Sequence, residues 1–169
     1  MTDLNNLLSP FFLNDKEIRK IIELVFFSYR DFTAGADQNL GKLNFWRAHH
    51  RGIYFVGKKD KITIKELLGV LKITKQSLSR VLNQLVKEGF IVVSTGLDKR
   101  TKNLSLTRSG LTLENELSTI QIQKIKKVIN NFNQADINGF KKILYEMIEI
   151  DNKKTFQHLN EWWQKNLFF

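Results

Sequence analysis

The chain contains no cysteine and only one proline, Pro10. The absence of thiols excludes disulfides, thiolate metal sites, cysteine nucleophiles and thiol-based redox sensing. Only three histidines occur, and the adjacent His49 and His50 would point in different directions on a helix, so we expect no metal. The sequence also lacks a phosphate-cradling glycine loop and a nucleophile elbow, so we expect neither a cofactor nor an enzyme.

Long apolar runs are missing too. No stretch reaches the roughly 18 apolar residues of a membrane span. The start, Met1 to Asn6, carries an acid and no basic region, so it does not resemble a signal peptide. From these features we expect a cytoplasmic protein without a membrane partner.

Positive charge, in contrast, is abundant. The 169 residues carry a formal net charge of +10, which indicates a polyanionic partner, either nucleic acid or an anionic membrane surface. A generally lysine-rich composition is the alternative. Residues 58–102 hold eleven Lys or Arg against four Asp or Glu, so most of the excess lies in about a quarter of the chain. This concentration favours a local nucleic-acid footprint.

Helical periodicity dominates the two ends of the chain. Asn14 with Glu17 predicts a helix start, and the apolar stripe that follows runs to about Phe32. Residues 34–38 are predicted as a connection, and a second helix is predicted over residues 40–56.

The C-terminal part is predicted to be helical as well. Thr107 or Ser109 would cap a long helix that reaches about Phe132. Asp136 would cap a last helix that could continue to Trp162 and Trp163.

The middle of the chain changes period. Thr63 and Glu66 form a capping box for a short helix, a tight turn follows, and Thr74 is a good N-cap for a second helix that ends at Gly89. Residues 90–95 and 102–106 read as a β-hairpin. The fold class is therefore mainly α (α+β), with a winged helix-turn-helix lobe and long flanking helices.

The second helix of such a unit lies in the major groove of DNA. Its core-facing stripe is predicted to be Leu78, Val81, Leu82 and Leu85. The opposite face is free of acids up to Glu88 and carries side chains that can bond base edges: Gln76, Ser79, Arg80, Asn83 and Lys87. An ordinary solvated helix face is the alternative, which the flanking capped helix and charged hairpin disfavour.

The predicted hairpin tip, residues 96–101, carries Lys99 and Arg100, which could enter a narrow minor groove. Asp98 could pair with a nearby Arg and fix its geometry. Alternatively, Asp98 favours the bend of a solvated turn.

Residues 62–110 resemble MarR-type transcriptional regulators. The resemblance rests on Leu67 and Leu71, the segments 77–81 and 82–85, Gly89, the tip 98–100, and Leu106-Thr107 before Gly110. With the flanking helices it covers the chain from about Asn14 onwards. It implies a triangular homodimer with interleaved first and last helices, a pseudo-palindromic duplex site and, in many members, a small aromatic or phenolic effector.

The resemblance and the pattern together give candidate residues. The DNA-binding candidates are Thr63, Thr74, Lys75, Gln76, Ser77, Ser79, Arg80, Asn83, Asp98, Lys99 and Arg100. The candidates for a pocket that takes a small aromatic or anionic effector are Phe26, Arg30, Trp46, Arg47, His50 and Tyr54. The dimer-interface candidates are Phe11, Phe12, Ile18, Trp162, Trp163 and Phe168, because terminal aromatic residues seldom stay exposed.

The expected organisation is a DNA-binding lobe over about residues 39–110, with dimerisation helices over about 11–34 and 111–169. The expected function is a DNA-binding transcriptional regulator, as a repressor or an activator. The alternative is a winged helix that serves protein interaction or assembly, which predicts weak, non-specific DNA affinity. The alternative to an effector pocket is that the aromatic stripe simply packs in a core.

Overall fold

The computed structural model describes residues 13–96 and 98–166, with side chains up to residue 161. The elements follow the chain in this order: α1 (Asp15–Gly41), α2 (Arg47–Lys58), β1 (Ile62–Thr63), α3 (Ile64–Leu71), α4 (Lys75–Lys87), β2 (Ile91–Thr95), β3 (Lys102–Leu106), α5 (Arg108–Ile129), α6 (Gln134–Glu146) and α7 (Ile150–Asn166). The chain divides into two compact units, Met1–Gly35 and Ala36–Phe169.

The described part of the first unit is the N-terminal portion of α1. Asn14 and Glu17 cap it reciprocally: the Asn14 N–H donates to Glu17 Oε2 at 3.0 Å, and the Glu17 N–H donates to Asn14 Oδ1 at 3.1 Å. This confirms the predicted helix start. Apolar side chains on this portion remain exposed, among them Ile18, Ile22 and Phe26.

The predicted connection at residues 34–38 is wrong, because α1 continues to Gly41. Ala36 and Leu40 are completely buried, and burial of this stripe favours helix despite Gly35. The break comes later, where Asn44 takes a left-handed φ of 54°. Consequently α2 begins at Arg47, whereas a start near residue 40 was predicted.

The second unit contains a three-stranded antiparallel sheet in the order β1-β3-β2. Leu104 at the centre of β3 pairs with Ile62 of β1 and Val93 of β2. The sheet, α2, α3, α4 and the start of α5 surround one apolar core. Its largest completely buried side chains include Ile53, Leu67, Leu85 and Leu117.

The C-terminal helices differ in detail from the prediction. The helix after the hairpin is capped by Thr107, whose Oγ1 accepts the Gly110 N–H at 3.0 Å, and it ends at Ile129. Asn133, and not Asp136, caps α6, because Asn133 Oδ1 accepts the Asp136 N–H at 3.0 Å. The last helical stretch breaks after Glu146 and resumes at Ile150.

In the part of the chain that the structure describes, every helix is too short or too polar to cross a membrane. Among the same residues, no group of three or more acidic or histidine side chains gathers as a metal site would.

Candidate nucleic-acid interface

The helix-turn-helix begins with a firmly capped α3. Thr63 Oγ1 accepts the Glu66 N–H at 3.1 Å, and Glu66 Oε2 accepts the Thr63 N–H at 2.8 Å, which confirms the predicted capping box. Lys59 Nζ also donates to Glu66. Burial alone would raise the pKa of Glu66, but hydrogen bonds from Lys59 and Thr63 and the charge of Lys59 lower it to about 2. Glu66 therefore stays ionised and joins the end of α2 to the start of α3.

The turn from α3 to α4 places the second helix. Lys72 takes the left-handed conformation with φ of 51°, and its N–H bonds the Leu68 carbonyl, which ends α3. Thr74 then caps α4 by accepting the Ser77 N–H at 3.1 Å, and its hydroxyl donates to Ser77 Oγ at 2.9 Å. Gly89, with φ of 77°, follows α4 as predicted, since the left-handed region suits glycine.

The two faces of α4 are separated as the sequence predicts. Leu78, Val81, Leu82 and Leu85 are buried. The side chains on the other face are exposed: Lys75, Gln76, Ser77, Ser79, Arg80, Asn83 and Lys87. Within the described residues, Arg80 makes no ion pair. Its guanidinium is therefore available to a base edge or a phosphate.

Gln76, Arg80, Asn83 and Lys87 recur at intervals of three or four residues and so form one outer row along α4. Because this row lies opposite the buried stripe, these side chains point away from the apolar core. Ser79 flanks the row. Thr74 and Ser77 sit at the first turn, where a helix entering the major groove meets bases or phosphates.

The hairpin forms as predicted from β2 and β3, which pair in register from Ile91 with Leu106 to Thr95 with Lys102. At its tip, Asp98 Oδ1 accepts the backbone N–H of Arg100 at 3.0 Å. The expected pairing of Asp98 with an arginine side chain is absent among the described residues. Asp98 instead shapes the turn, and Lys99 and Arg100 are left exposed.

Two contacts that hold the hairpin were not predicted. The short strand β1 pairs with β3, with Ile62 opposite Leu104 and Thr63 opposite Asn103. Ser105 Oγ donates to Asp60 Oδ1 at 2.7 Å. Thr63, which caps α3, thus also lies in the sheet that carries the hairpin. A two-residue strand has no recognisable alternation, and a contact across 45 residues leaves no local signal.

The base of the hairpin is closed by a tight contact. Thr107 N–H donates to the Phe90 carbonyl at 3.0 Å, and Thr107 Oγ1 donates to the Gly89 carbonyl at 2.7 Å. A Cβ on Gly110 would lie 2.0 Å from Phe90 O, so only glycine fits there. This explains the Leu106-Thr107 and Gly110 motif in physical terms.

The effector-pocket candidates divide between the two units. Phe26 and Arg30 lie in the first unit, where both are exposed, and Arg30 Nε donates to Asp31 at 2.8 Å. Trp46, in the second unit, is exposed as well.

The remaining candidates lie on α2. Arg47 forms an ion pair with Asp37, with Nη2 to Oδ2 at 2.6 Å, so its guanidinium is already engaged. His50 is buried; burial lowers its pKa, Asp37 raises it and Arg51 lowers it, with a net decrease. Burial raises the pKa of Tyr54, and the charge of Glu114 adds to this effect. The role of these residues stays a prediction.

The dimer-interface candidates lie mostly at the ends of the chain. Phe11, Phe12 and Phe168 are outside the described residues, as are the side chains of Trp162 and Trp163. Ile18 is exposed on α1. Further exposed apolar side chains, which were not among the named interface candidates, lie on α5 and α6 or directly after them: Ile122, Ile125, Val128, Phe132, Phe140, Ile143, Leu144 and Met147.

Comparison with known proteins agrees with this geometry. A family model described as the MarR family matches residues 45–101. The HTH-type transcriptional regulator PetP of Rhodobacter capsulatus is 38% identical over 151 residues, which covers 89% of this chain and 91% of that protein.

Solved structures show the same fold. FabT of Streptococcus pneumoniae, crystallised in complex with DNA, is 19% identical with a TM-score of 0.69, covering 85% of this chain and 98% of its own. A MarR protein of Peptoclostridium difficile is 19% identical with a TM-score of 0.67, covering 94% and 99%. The predicted winged-helix class is confirmed. Because the likeness to PetP extends over nearly the whole of both proteins, the chain belongs to the MarR family and is a transcriptional regulator, not an enzyme.

Proposed function

We propose that the chain regulates transcription as a homodimer that binds a pseudo-palindromic site in duplex DNA. The observation that carries the proposal is the outer face of α4. It is exposed, free of carboxylates from Lys75 to Lys87, and opposite a fully buried stripe. Such a face provides donors for base edges, and two copies in a symmetric dimer would read two half-sites about one helical turn apart.

In this proposal the residues have distinct tasks. Gln76, Arg80 and Asn83 read bases in the major groove, and Thr74, Lys75, Ser77 and Ser79 contact bases or phosphates beside them. Lys99 and Arg100 reach the minor groove from the hairpin tip, which Asp98 shapes. Thr63 contacts the DNA from the start of α3. The crystallised complex of FabT with DNA supports this use of the fold.

Exposed apolar surface supports the homodimer. Phe140, Ile143 and Leu144 on α6, with Met147 at its C-cap, follow one another at helical spacing and all remain exposed. Ile122, Ile125 and Val128 on α5, and Phe132 just after it, are exposed in the same way. Soluble proteins rarely leave rows of apolar side chains like these in water, so a second copy is the proposed cover.

The proposed organisation keeps a DNA-binding lobe over about residues 39–110 and dimerisation helices over about 11–34 and 111–169. The boundary between the two compact units falls after Gly35, next to residue 34, where the N-terminal dimerisation segment of this proposal ends. A small aromatic or anionic effector would act by favouring one arrangement of the dimer over another. Bound dimers would repress by occluding polymerase or activate by recruiting it.

The test is selection of duplexes from a random library with the purified protein, followed by fluorescence anisotropy on the selected duplex and on a scrambled one across a salt series. We expect a motif with two-fold symmetry and tighter binding to the selected duplex at physiological salt. Enrichment of no motif, with equal and steeply salt-dependent binding to both duplexes, would favour the protein-interaction alternative.

Arg80→Ala sharpens the same test. We expect a loss of about 1–3 kcal/mol in binding to the selected duplex and a much smaller loss on the scrambled one. Arg108→Ala is the matched control, since it removes an equal charge from an exposed position at the start of α5 that is assigned neither to DNA nor to the dimer interface. Equal losses on both duplexes would show that Arg80 contacts only phosphate.

A further inference from the structure

The C-terminal helices return to the helix-turn-helix at one point. Among the described residues beyond Leu117, the only buried side chain is that of Leu159 on α7, which is 6% exposed. Leu159 lies outside the main apolar core, and α7 packs against α3. The second half of α5, α6 and α7 therefore form an arm that leaves the core and comes back to it through α7.

A polar contact lies directly beside Leu159. Asn160 Oδ1 accepts a hydrogen bond from Lys58 Nζ at 3.0 Å, which joins α7 to the last residue of α2. Asn160 Nδ2 donates to the Phe156 carbonyl at 2.8 Å, and this bond holds the amide so that its oxygen faces Lys58. Burial lowers the pKa of Lys58, so its ammonium is partly removed from water. The contacts of α7 thus lie at the corner between α2 and α3, where the helix-turn-helix begins.

The other part of α7 is bound to α6. Lys153 Nζ donates to Glu146 Oε2 at 2.6 Å and lies 4.9 Å from the centre of the Tyr145 ring. Gln157 Nε2 donates to the Tyr145 hydroxyl at 2.8 Å. Phe156 packs on the same tyrosine, with ring centroids 5.9 Å apart. Helix α7 therefore connects α6, which carries the apolar stripe proposed for the dimer, to the corner between α2 and α3.

This connection limits how the DNA-binding lobe can move. A lobe that is joined to the following helices at one point can swing about that point. The first attachment here is the start of α5, where Leu113 and Leu117 are buried in the core of the lobe. The contact of α7 with α2 and α3 adds a second attachment. Two separate attachments restrict the rotation that one would leave free, so α4 keeps a fixed position relative to α6.

We propose that Leu159 and Asn160 are positioning residues for DNA recognition, which hold α7 on the corner between α2 and α3 and so set the separation of the two copies of α4. The proposal rests on the function proposed above, because a fixed separation matters only for a dimer on a two-fold site. Neither residue is assigned to DNA. Their effect passes through α3, whose position determines where α4 enters the groove. A dimer held in this way accepts one spacing of half-sites and rejects others.

The separation of the lobes is measured first, without DNA. Because the chain has no cysteine, Lys65→Cys places one spin label per protomer at an exposed position of α3, and double electron–electron resonance gives the distance between the labels. We expect a narrow distance distribution in the otherwise wild-type protein and a broader one with Leu159→Ala. Leu43→Ala is the matched control, since it removes the same atoms from a 41% exposed position between α1 and α2. Equal widths in these two variants would overturn the proposal.

DNA binding separates positioning from folding. The duplexes are the selected site, versions with one base pair added or removed between the half-sites, and a single half-site. With Leu159→Ala we expect a loss of about tenfold on the selected site, because the linkage between half-sites weakens, and a loss of the preference for its spacing. Affinity for the single half-site should stay within about twofold, since the contacts of α4 are distant from the change. Equal losses on half-site and full site would show that Leu159 only stabilises the lobe, which would overturn the proposal.

Asn160→Leu and Asn160→Asp test the hydrogen bond to Lys58. Leucine removes the acceptor, so it should broaden the distance distribution and relax the spacing preference. Aspartate keeps an oxygen that the Lys58 ammonium can bond, so it should retain the wild-type preference. Circular dichroism confirms folding of each variant. A preference that is relaxed equally in both variants would contradict the positioning role of Asn160.

Sedimentation velocity shows whether each variant remains a dimer. Dissociation by Leu159→Ala would place Leu159 in the dimer interface and overturn its positioning role. The two proposals fail separately. A narrow distance distribution that broadens with Leu159→Ala, in a protein that prefers no symmetric duplex, would contradict the proposed function and leave the positioning of the lobe standing. A wild-type preference for one spacing that persists in Leu159→Ala would contradict only the positioning.

Discussion

At position 110 a close contact with the backbone of another segment allows only glycine. Its missing side chain lets the Phe90 carbonyl approach, since a Cβ would lie 2.0 Å from that oxygen. Gly110→Ala must therefore push the start of α5 away from the base of the hairpin. We expect the free energy of unfolding to fall by about 1–3 kcal/mol, as overpacking usually costs.

The control for Gly110→Ala is Gly139→Ala on α6, where a Cβ would meet nothing within 4 Å. There alanine should stabilise the helix by up to about 1 kcal/mol, because glycine is the poorer helix former. Urea unfolding followed by circular dichroism measures both. Equal stability of the two variants would contradict the close contact at Phe90.

The buried position of His49 leads to a prediction of how the stability of the protein depends on pH. The side chain is 2% exposed, its ring stacks on Phe45 with centroids 4.7 Å apart, and its Nδ1 accepts the Trp46 N–H at 3.0 Å at the start of α2. Nδ1 is therefore the acceptor, and protonation there would remove the cap and place a positive charge in the core. Burial of the ring lowers the pKa of His49.

The lowered pKa of His49 determines how the stability changes with pH. Because the folded pKa lies below the unfolded value of 6.5, the unfolded chain binds more protons between the two values. Stability is complete above pH 6.5 and falls as the pH drops below it. The buried His50 contributes in the same direction. Glu66, with a pKa of about 2, loses its contribution only as the pH falls below about 4.5.

We expect the free energy of unfolding to be lower at pH 5.5 than at pH 7.5, and the difference to shrink in His49→Gln, whose amide oxygen can still accept the Trp46 N–H. His158→Gln, at an exposed position on α7, is the control and should keep the wild-type difference. Urea unfolding at the two pH values measures it. An unchanged difference in His49→Gln would show that His49 titrates alike in both states.

At the scale of elements, the start of a helix was predictable where one side chain caps a backbone N–H group only three residues further along the chain. Thr63, Thr74 and Asn14 lie at the starts that the sequence indicates, because a cap depends on three or four consecutive residues. The prediction was wrong where tertiary burial or a competing cap decides. Ala36 and Leu40 pack in the core and carry α1 past its predicted end.

At the start of α6, the sequence analysis predicted the wrong one of two possible capping residues. Asn133 and Asp136 are three residues apart and are both good caps, so the sequence alone does not distinguish them. The structure uses Asn133 as the cap and leaves Asp136 in the first turn, where a negative charge also favours the helix.

The hairpin predicts a preference for particular flanking sequences. Arg100 is exposed at the tip, with its backbone fixed by Asp98. A narrow A·T-rich minor groove attracts such a guanidinium. Arg100→Ala should weaken binding more on duplexes with A·T-rich flanks than on those with G·C-rich flanks. Anisotropy titrations of the selected core with both kinds of flank measure this.

Lys102→Ala is the control for Arg100→Ala. Lys102 lies on β3, and its Nζ donates to Thr95 Oγ1 across the hairpin at 3.3 Å, so it is not assigned to the minor groove and its removal should affect both duplexes alike. A loss for Arg100→Ala that does not depend on the flanks would remove its minor-groove role and leave only a phosphate contact.

At the scale of the whole molecule, the elements that carry the candidate DNA interface were predictable because they are nearly continuous in sequence. Residues 63–106 supply α3, α4 and the hairpin, and the periodicity of each is local. The contacts that join these elements were not predictable. The pairing of β1 with β3 and the bond from Ser105 to Asp60 depend on the folded chain.

Assembly is the property that local patterns constrain least, and α6 provides its test. Ile143 is 62% exposed in the middle of the apolar stripe. In the proposed dimer a carboxylate at this position would be buried without a partner, which costs several kcal/mol. Ile143→Glu should therefore shift the protein from dimer towards monomer. Lys142→Glu, at the adjacent exposed position outside the stripe, should leave the dimer intact.

Sedimentation velocity at micromolar concentration measures the assembly, and anisotropy on the symmetric duplex measures its consequence. If two copies of α4 read two half-sites, the monomeric Ile143→Glu protein retains the contacts of one half-site and loses the linkage between them. Its affinity for the full site should fall to that for a single half-site. A wild-type protein that sediments at the 19.8 kDa of one chain would contradict the homodimer. A dimer that tolerates Ile143→Glu would place the interface on surfaces other than the α6 stripe.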